Sequence, residues 1–205
     1  MQQSLDTYKT ISRPGTEVLF KDKNSKSFGY SFPVSTEEEI KEYLTELKKK
    51  HHSARHWCYA WQLGVEKVRY RVNDDGEPSN SAGQPIYGQI QSFELTNILI
   101  VVVRYFGGVK LGVGGLINAY RSAARLAVEN SMIIEKTINH QYVITFAYKD
   151  MNKVMRIIKE HRLQITDQIL ELNCKLFISV KKSESHKIKN LFAPLYEMEI
   201  KLLSS

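Results

Sequence analysis

An apolar run that empties into glycine constrains this chain more than any other feature. Residues 97–106 read NILIVVVRYF, and the next nine, GGVKLGVGG, hold five of the chain's 11 glycines. The stretch ILIVVV at 98–103 is β-branched and strand-sized, and it reads as a strand buried on both faces. It is far shorter than the roughly 18 apolar residues that a membrane span requires. Ordered glycine carries an entropic cost, so this density means that the backbone must go where a Cβ would not fit. The next residues, LINAYRSAARLAVENSM, read as a helix over 116–130, with Ala and Leu on one face and Arg121 and Arg125 one turn apart on another. A buried strand that feeds a glycine loop opening a helix presents free backbone N–H groups to an anion.

The nucleotide fingerprints fail here. A Walker A loop needs GxxxxGK[ST], and Val113 and Gly114 stand at its Lys and Ser/Thr positions. A dinucleotide loop needs GxGxxG, and its third glycine position, 117, is isoleucine. Two readings of Gly107, Gly108, Gly112, Gly114 and Gly115 stay open. In one, the glycines let the helix pack on the sheet through a tight turn. In the other, they bind a phosphate or an extended partner through the backbone, with Lys110 beside them.

Strand alternation puts Arg104 and Phe106 on one face and Tyr105 on the other. An arginine that ends an apolar strand needs a carboxylate or a bound anion. Asp74, Asp75 and Glu77, in the polar loop DDGEPSNSAGQP, are the internal candidates, and an Arg–carboxylate bond fixing two loops together is the first expectation. In HHSARHWCYAW, alternation sends His56, Cys58 and Ala60 to one side and Trp57, Tyr59 and Trp61 to the other. His52 and His56 have the i, i+4 spacing of a metal pair, but that presumes a helix where the sequence reads as a strand. No metal and no cofactor is expected, and Cys58 reads as a buried thiol rather than a nucleophile.

The rest of the chain follows two patterns. Residues 17–34 alternate around KDKNSKS and read as a hairpin; STEEEIKEYLTELKKKH is a capped helix; HWCYAWQLGV and KVRYRV are strands; and a short helix covers Ile86–Ser92. From QYVITFAY onward the order is β-α-β-β-α-β, with Asp150 and Ser183 where helix caps belong. The chain therefore reads as an α+β protein of two domains, 1–133 and 134–205.

Lys and Arg exceed Asp and Glu by 29 − 22 = 7. The surplus is spread over both domains, as +3 and +4 (17 basic against 14 acidic, then 12 against 8). Such mild basicity favours polyanionic partners without marking a dedicated patch. There is no apolar h-region at the N-terminus, and the two cysteines are far apart in sequence, so a cytoplasmic protein with two reduced thiols is expected, with no membrane partner.

Three blocks, HSARHWCYAW, DDGEPSNSAGQP and VVVRYFGGVKLGVGGLINAY, resemble the signature blocks of the IMPACT family, in its bacterial YigZ-type branch. The likeness extends to the hairpin KNSKSFGYSFPV and to the C-terminal tail. The chain departs from the pattern at Asn80-Ser81, where the family usually has Gly-Thr or Gly-Ser; asparagine tolerates φ > 0, so the turn survives. The resemblance implies a two-layer ribosomal protein S-five domain 2-like fold with helices on one sheet face. It also implies a ferredoxin-like C-terminal domain similar to the last domain of elongation factor G.

The function implied is translation regulation without catalysis, through binding to RNA, the ribosome or a translation factor. The expected contact residues are Arg55, His56, Asp75, Glu77, Arg104, Gly107, Gly108, Lys110, Gly112, Gly114 and Gly115. Two alternatives stand beside this reading. One is an enzyme on a phosphorylated or peptide-like small molecule, using Asp75, Glu77, His56 and Arg104. The other is a protein-docking module.

Overall fold

Glycine and asparagine turns, one capped helix and one wholly apolar strand organise the larger part of the chain. The structure, a computed structural model, describes residues 6–195 and 197–204. It is a mixed α+β chain with antiparallel sheets and five α-helices among the described residues. Contacts divide it into two units. One is Tyr8–Lys136, and the other gathers the residues from Thr137 onward together with Asp6 and Thr7.

In the first unit a five-stranded sheet runs in the order β2-β3-β6-β4-β5, with every adjacent pair antiparallel. Its strands are β2 (Val18–Asp22), β3 (Ser25–Pro33), β4 (His56–Leu63), β5 (Arg69–Asn73) and β6 (Ile98–Tyr105). The β2–β3 hairpin turns at Lys23 and Asn24, both at positive φ, as a two-residue turn between twisted strands requires. Strand β6 lies at the centre, and its residues from Ile98 to Val103 are fully buried. Each such side chain contributes on the order of 1.5–3 kcal/mol by leaving water.

Both faces of this sheet are covered. Ile98, Ile100, Val102, Cys58 and Ala60 pack with helices α2 (Gly83–Ser92) and α3 (Gly112–Glu129). Leu99, Val101, Val103 and Trp61 pack with Ile40 and Leu47 of α1 (Glu37–Lys50). The expectation of a two-layer domain with helices on one face therefore needs correction, because α1 forms a third layer. Its amphipathic spacing shows that it buries a face, but not which side of the sheet receives it. Thr36 caps α1, accepting from the Glu39 amide while the Glu39 carboxylate accepts from the Thr36 amide. A separate two-stranded sheet of β1 (Thr7–Ile11) and β7 (Ile133–Thr137) has no counterpart in the sequence reading.

The second unit runs β8 (Asn139–Ala147), α4 (Met151–Glu160), β9 (Gln164–Ile169), β10 (Asn173–Lys181), α5 (Ser185–Phe192) and β11 (Glu199–Ser204), in the β-α-β-β-α-β order read from sequence. Its sheet is ordered β11-β8-β10-β9, all antiparallel. Val154, Ile158, Ile188 and Phe192 of the two helices bury against Ile144, Leu176 and Ile178 of its central strands. The caps differ from expectation. Asp150 stands at the cap position of α4, but its carboxylate accepts from Lys153 Nζ at 2.7 Å and from no helix amide. Ser183 lies in a short 3-10 turn, and Glu184 takes the cap position of α5.

Candidate functional site

The strand-to-helix junction at the end of β6 has a buried polar floor. Arg104 and Glu77 form an ion pair, Nη1 to Oε1 at 2.8 Å, with side chains only 5% and 6% exposed. The same carboxylate oxygen accepts from the Tyr120 hydroxyl of α3 at 2.7 Å. Arg104 Nη2 donates to Ser25 Oγ at 3.4 Å, and that oxygen also accepts from the Gly107 amide at 3.2 Å. One arginine thus joins β6, the acidic loop, the β2–β3 turn and, through Glu77, helix α3. Burial, with Cys58 and Glu77 alongside, drives the Tyr120 hydroxyl far above its ordinary range, so it stays a donor.

The acidic loop is fastened at each carboxylate. Asp74 accepts from the amides of Asn80, Ala82 and Gly83, which caps α2 from a distance. Asp75 accepts from the Trp57 amide at 2.7 Å, and its carbonyl accepts from His56 Nδ1 at 2.8 Å. Asn80, the departure from the family pattern, has φ +61°, the conformation for which asparagine substitutes for glycine. Cys58 donates to the Asp74 carbonyl; burial pushes its thiol well above the usual range, which leaves it inert as a nucleophile. His52 lies on an exposed turn and His56 on β4, so the two do not share a helix face. Among the described residues no group of three or more His, Cys, Asp or Glu could hold a metal ion.

The glycines divide by role. A Cβ on Gly107 would sit 2.1 Å from the Asn24 carbonyl carbon, so what approaches the backbone there is the hairpin turn. Gly108 and Gly112 adopt φ +87° and +73°. A Cβ on Gly108, Gly112 or Gly114 would meet nothing within 4 Å, and all three are exposed. Helix α3 begins at Gly112 rather than at Leu116, so Gly112, Gly114 and Gly115 form its first turn. That turn has no side-chain cap and no acidic residue. Its first amides have no partner within the helix and carry the positive end of the helix dipole. Lys110 is exposed beside them, with Phe106, Val109 and Val113 about half exposed.

The structure therefore brings His56, Asp75, Glu77 and Arg104 together, and it ties Gly107 and α3 to them. It does not bring in Arg55 or Lys110, which are exposed and join no part of this hydrogen-bonded network. Glu77 and Arg104 are buried too deeply to line an open cleft. The charges are spent on one another, and the open chemistry is a ledge of backbone donors and one ammonium. Ser25 and Tyr120, which complete the floor, were missed from sequence. The cue for Tyr120 was a hydroxyl on the Ala/Leu face of α3, whose proton needs an acceptor when buried.

Residues 23–128 match the family model described as the Impact N-terminal domain. The Bacillus subtilis protein "IMPACT family member YvyE" is 30% identical over 182 residues, which cover 89% of this chain and 83% of that protein. The Escherichia coli protein "IMPACT family member YigZ" is 33% identical over 119 residues, covering 57% of this chain and 58% of that one. Rabbit "Protein IMPACT" is 27% identical over 117 residues, and the match spans 37% of its length. A solved structure described as a hypothetical protein superposes with a TM-score of 0.70 over 98% of both chains, at 23% identity, a likeness of fold.

Proposed function

From the premise that the chain belongs to the IMPACT family, we propose that it is a translation-associated regulatory protein that binds RNA, the ribosome or a translation factor without catalysis. Residues 1–133 would be the IMPACT-type domain, of the ribosomal protein S-five domain 2-like class with an added helical layer. Residues 134–205 would be a ferredoxin-like domain similar to the last domain of elongation factor G. The proposed setting is the cytoplasm; no helix among the described residues is long and apolar enough to cross a membrane.

One observation carries this reading. The first turn of α3 is uncapped, free of acids, rich in glycine and exposed beside Lys110, while the charges beneath it are paired and buried. Backbone amides at a helix start and a nearby ammonium are the groups that meet phosphate oxygens, and they confer position rather than sequence preference. The buried ion pair fixes the ledge against α3 without facing a ligand. Arg55 and His56, at the start of β4, are the further contacts proposed for the same partner.

Co-sedimentation with ribosomes across a salt series tests the proposal. Association that falls steeply as salt rises is expected, because each phosphate contact releases counterions. Absence of association even at low salt contradicts it. The enzyme alternative has less support, since Glu77 and Arg104 neutralise each other out of reach of a substrate.

A further inference from the structure

At the end of β6 in the same sheet, where Phe28 and Tyr105 pack on the α1 side, lies a pocket of about 350 Å³ lined by Asn24, Lys26, Phe28, His51, Tyr105 and Phe106. Its size falls within the roughly 300–1,000 Å³ of small-molecule sites. Its walls are aromatic. Phe28 lies with ring centroids 5.8 Å from Tyr105 and 5.2 Å from His51. Phe106, 54% exposed, is backed by the Arg104 guanidinium at 5.9 Å from its ring centre. Lys26 is exposed at the rim.

The polar floor has a fixed direction. Tyr30 donates its only hydroxyl proton to the Glu17 carboxylate at 2.5 Å, and Glu17 also accepts from Lys50 Nζ at 2.7 Å. His51 Nε2 lies 2.5 Å from the same Tyr30 oxygen, whose proton is already committed, so Nε2 carries a proton and donates it. Neutral His51 then has a bare Nδ1, and it accepts from the Tyr105 hydroxyl at 3.0 Å. The relay Tyr105–His51–Tyr30–Glu17 therefore consumes the Tyr105 proton. What Tyr105 has left to offer the pocket is an oxygen lone pair, an acceptor only.

We propose that this pocket holds a single nucleotide, its base against the Phe106 and Phe28 rings and donating a base-edge N–H to Tyr105, its phosphate met by Lys26. The inference rests on the polyanion-binding reading above and gives that surface a second contact, one that takes up an unstacked base. Base–aromatic stacking accepts any base, whereas a Tyr105 oxygen whose proton is held by neutral His51 rejects a base edge lacking an N–H. A free mononucleotide and an unpaired residue of an RNA strand present the same chemistry.

Calorimetric titration of the full chain with AMP, with purine riboside 5′-monophosphate (which lacks the exocyclic amino group) and with a nine-residue single-stranded RNA separates the cases. Loss of the amino group or of the Tyr105 oxygen in Tyr105→Phe should each weaken mononucleotide binding about five- to tenfold. The two together should cost no more than either alone. Phe106→Ala should weaken binding at least about fivefold by loss of stacking.

As a check that needs no variant, AMP should shift the amide resonances of Asn24, Lys26, Phe28 and Phe106 in the wild-type chain. A strand site gives tighter binding to the nine-residue RNA than to AMP, and a mononucleotide site gives equal or weaker binding. Either supports the pocket. AMP that leaves those resonances unmoved, or affinity that is indifferent to both the amino group and Tyr105→Phe, overturns the proposal. Ribosome association that persists under those results leaves the polyanion reading intact. Its absence beside specific AMP binding removes that reading and leaves the pocket.

Discussion

His56 and Arg104 are direct partners across the β4–β6 ladder, side by side on one face, yet each is turned to a different part of the acidic loop. His56 gives its Nδ1 proton to the Asp75 carbonyl, and Arg104 gives Nη1 to the Glu77 carboxylate. The loop is thus clamped at two points to adjacent strands. That rigidity bears on the ledge, because Tyr120 transmits it to α3.

Glu77→Gln tests the clamp. The substitution leaves a buried guanidinium without its counter-charge, which costs about 3 kcal/mol or more. A clear fall in the urea midpoint is expected. An unchanged midpoint would mean that the pair contributes nothing to holding the loop.

The glycines separate by substitution to alanine. Gly107→Ala forces a Cβ to within 2.1 Å of hairpin backbone that cannot rotate away, and overpacking of this kind costs on the order of 1–3 kcal/mol. Gly114→Ala places its methyl in open space on a helix and should be neutral or stabilising by up to about 1 kcal/mol. Thermal unfolding of the two variants side by side checks both signs; equal destabilisation contradicts the division of roles.

Much of this was legible in the sequence because burial leaves charged and apolar groups few choices. Six consecutive, largely β-branched apolar residues fit a covered strand, and an arginine ending it needs a carboxylate or a bound anion, which Glu77 of the neighbouring acidic loop supplies. The start of α3 was not legible, since glycine has poor helix propensity and the first turn holds three of them. The β1–β7 pairing joins the two ends of the first unit, and local pattern carries no information about such partners. His51 stands in the sequence between lysines and other histidines with no local cue to its partners, and only the tertiary fold sets it between Tyr30 and Tyr105.

Acidification should weaken the first unit through His51 and Glu17. Burial, and then Lys50, hold the His51 imidazole below its ordinary range. Lys50 and then Tyr30 hold the Glu17 carboxyl below its own. Both groups have lower pKa values folded than unfolded, so the unfolded chain takes up protons first as pH falls. The His51 contribution is complete above the unfolded imidazole value near 6.5 and is lost as pH drops through the folded value. Urea midpoints at pH 7.5, 6.5 and 5.5 should therefore decline more steeply for wild type than for His51→Gln. Parallel curves contradict the assignment.

Lys110→Glu alters the rim alone, because the side chain is exposed and outside the floor's network. Ribosome or RNA association should weaken, and the slope of its logarithm against log salt should flatten by roughly 0.7–0.9 for a single lost phosphate contact. An unchanged slope places Lys110 outside the contact.

The most direct measurement is RNA affinity of Gly114→Asp at fixed low salt, paired with its unfolding midpoint. A carboxylate in the first turn of α3 favours the helix through its dipole, and it stands where phosphate would approach. Affinity weakened at least about tenfold, with a midpoint held or raised, is the result expected if the α3 start meets phosphates; each such anion–amide arrangement is worth on the order of 1–2 kcal/mol. Affinity equal to wild type in a folded Gly114→Asp chain would contradict the account.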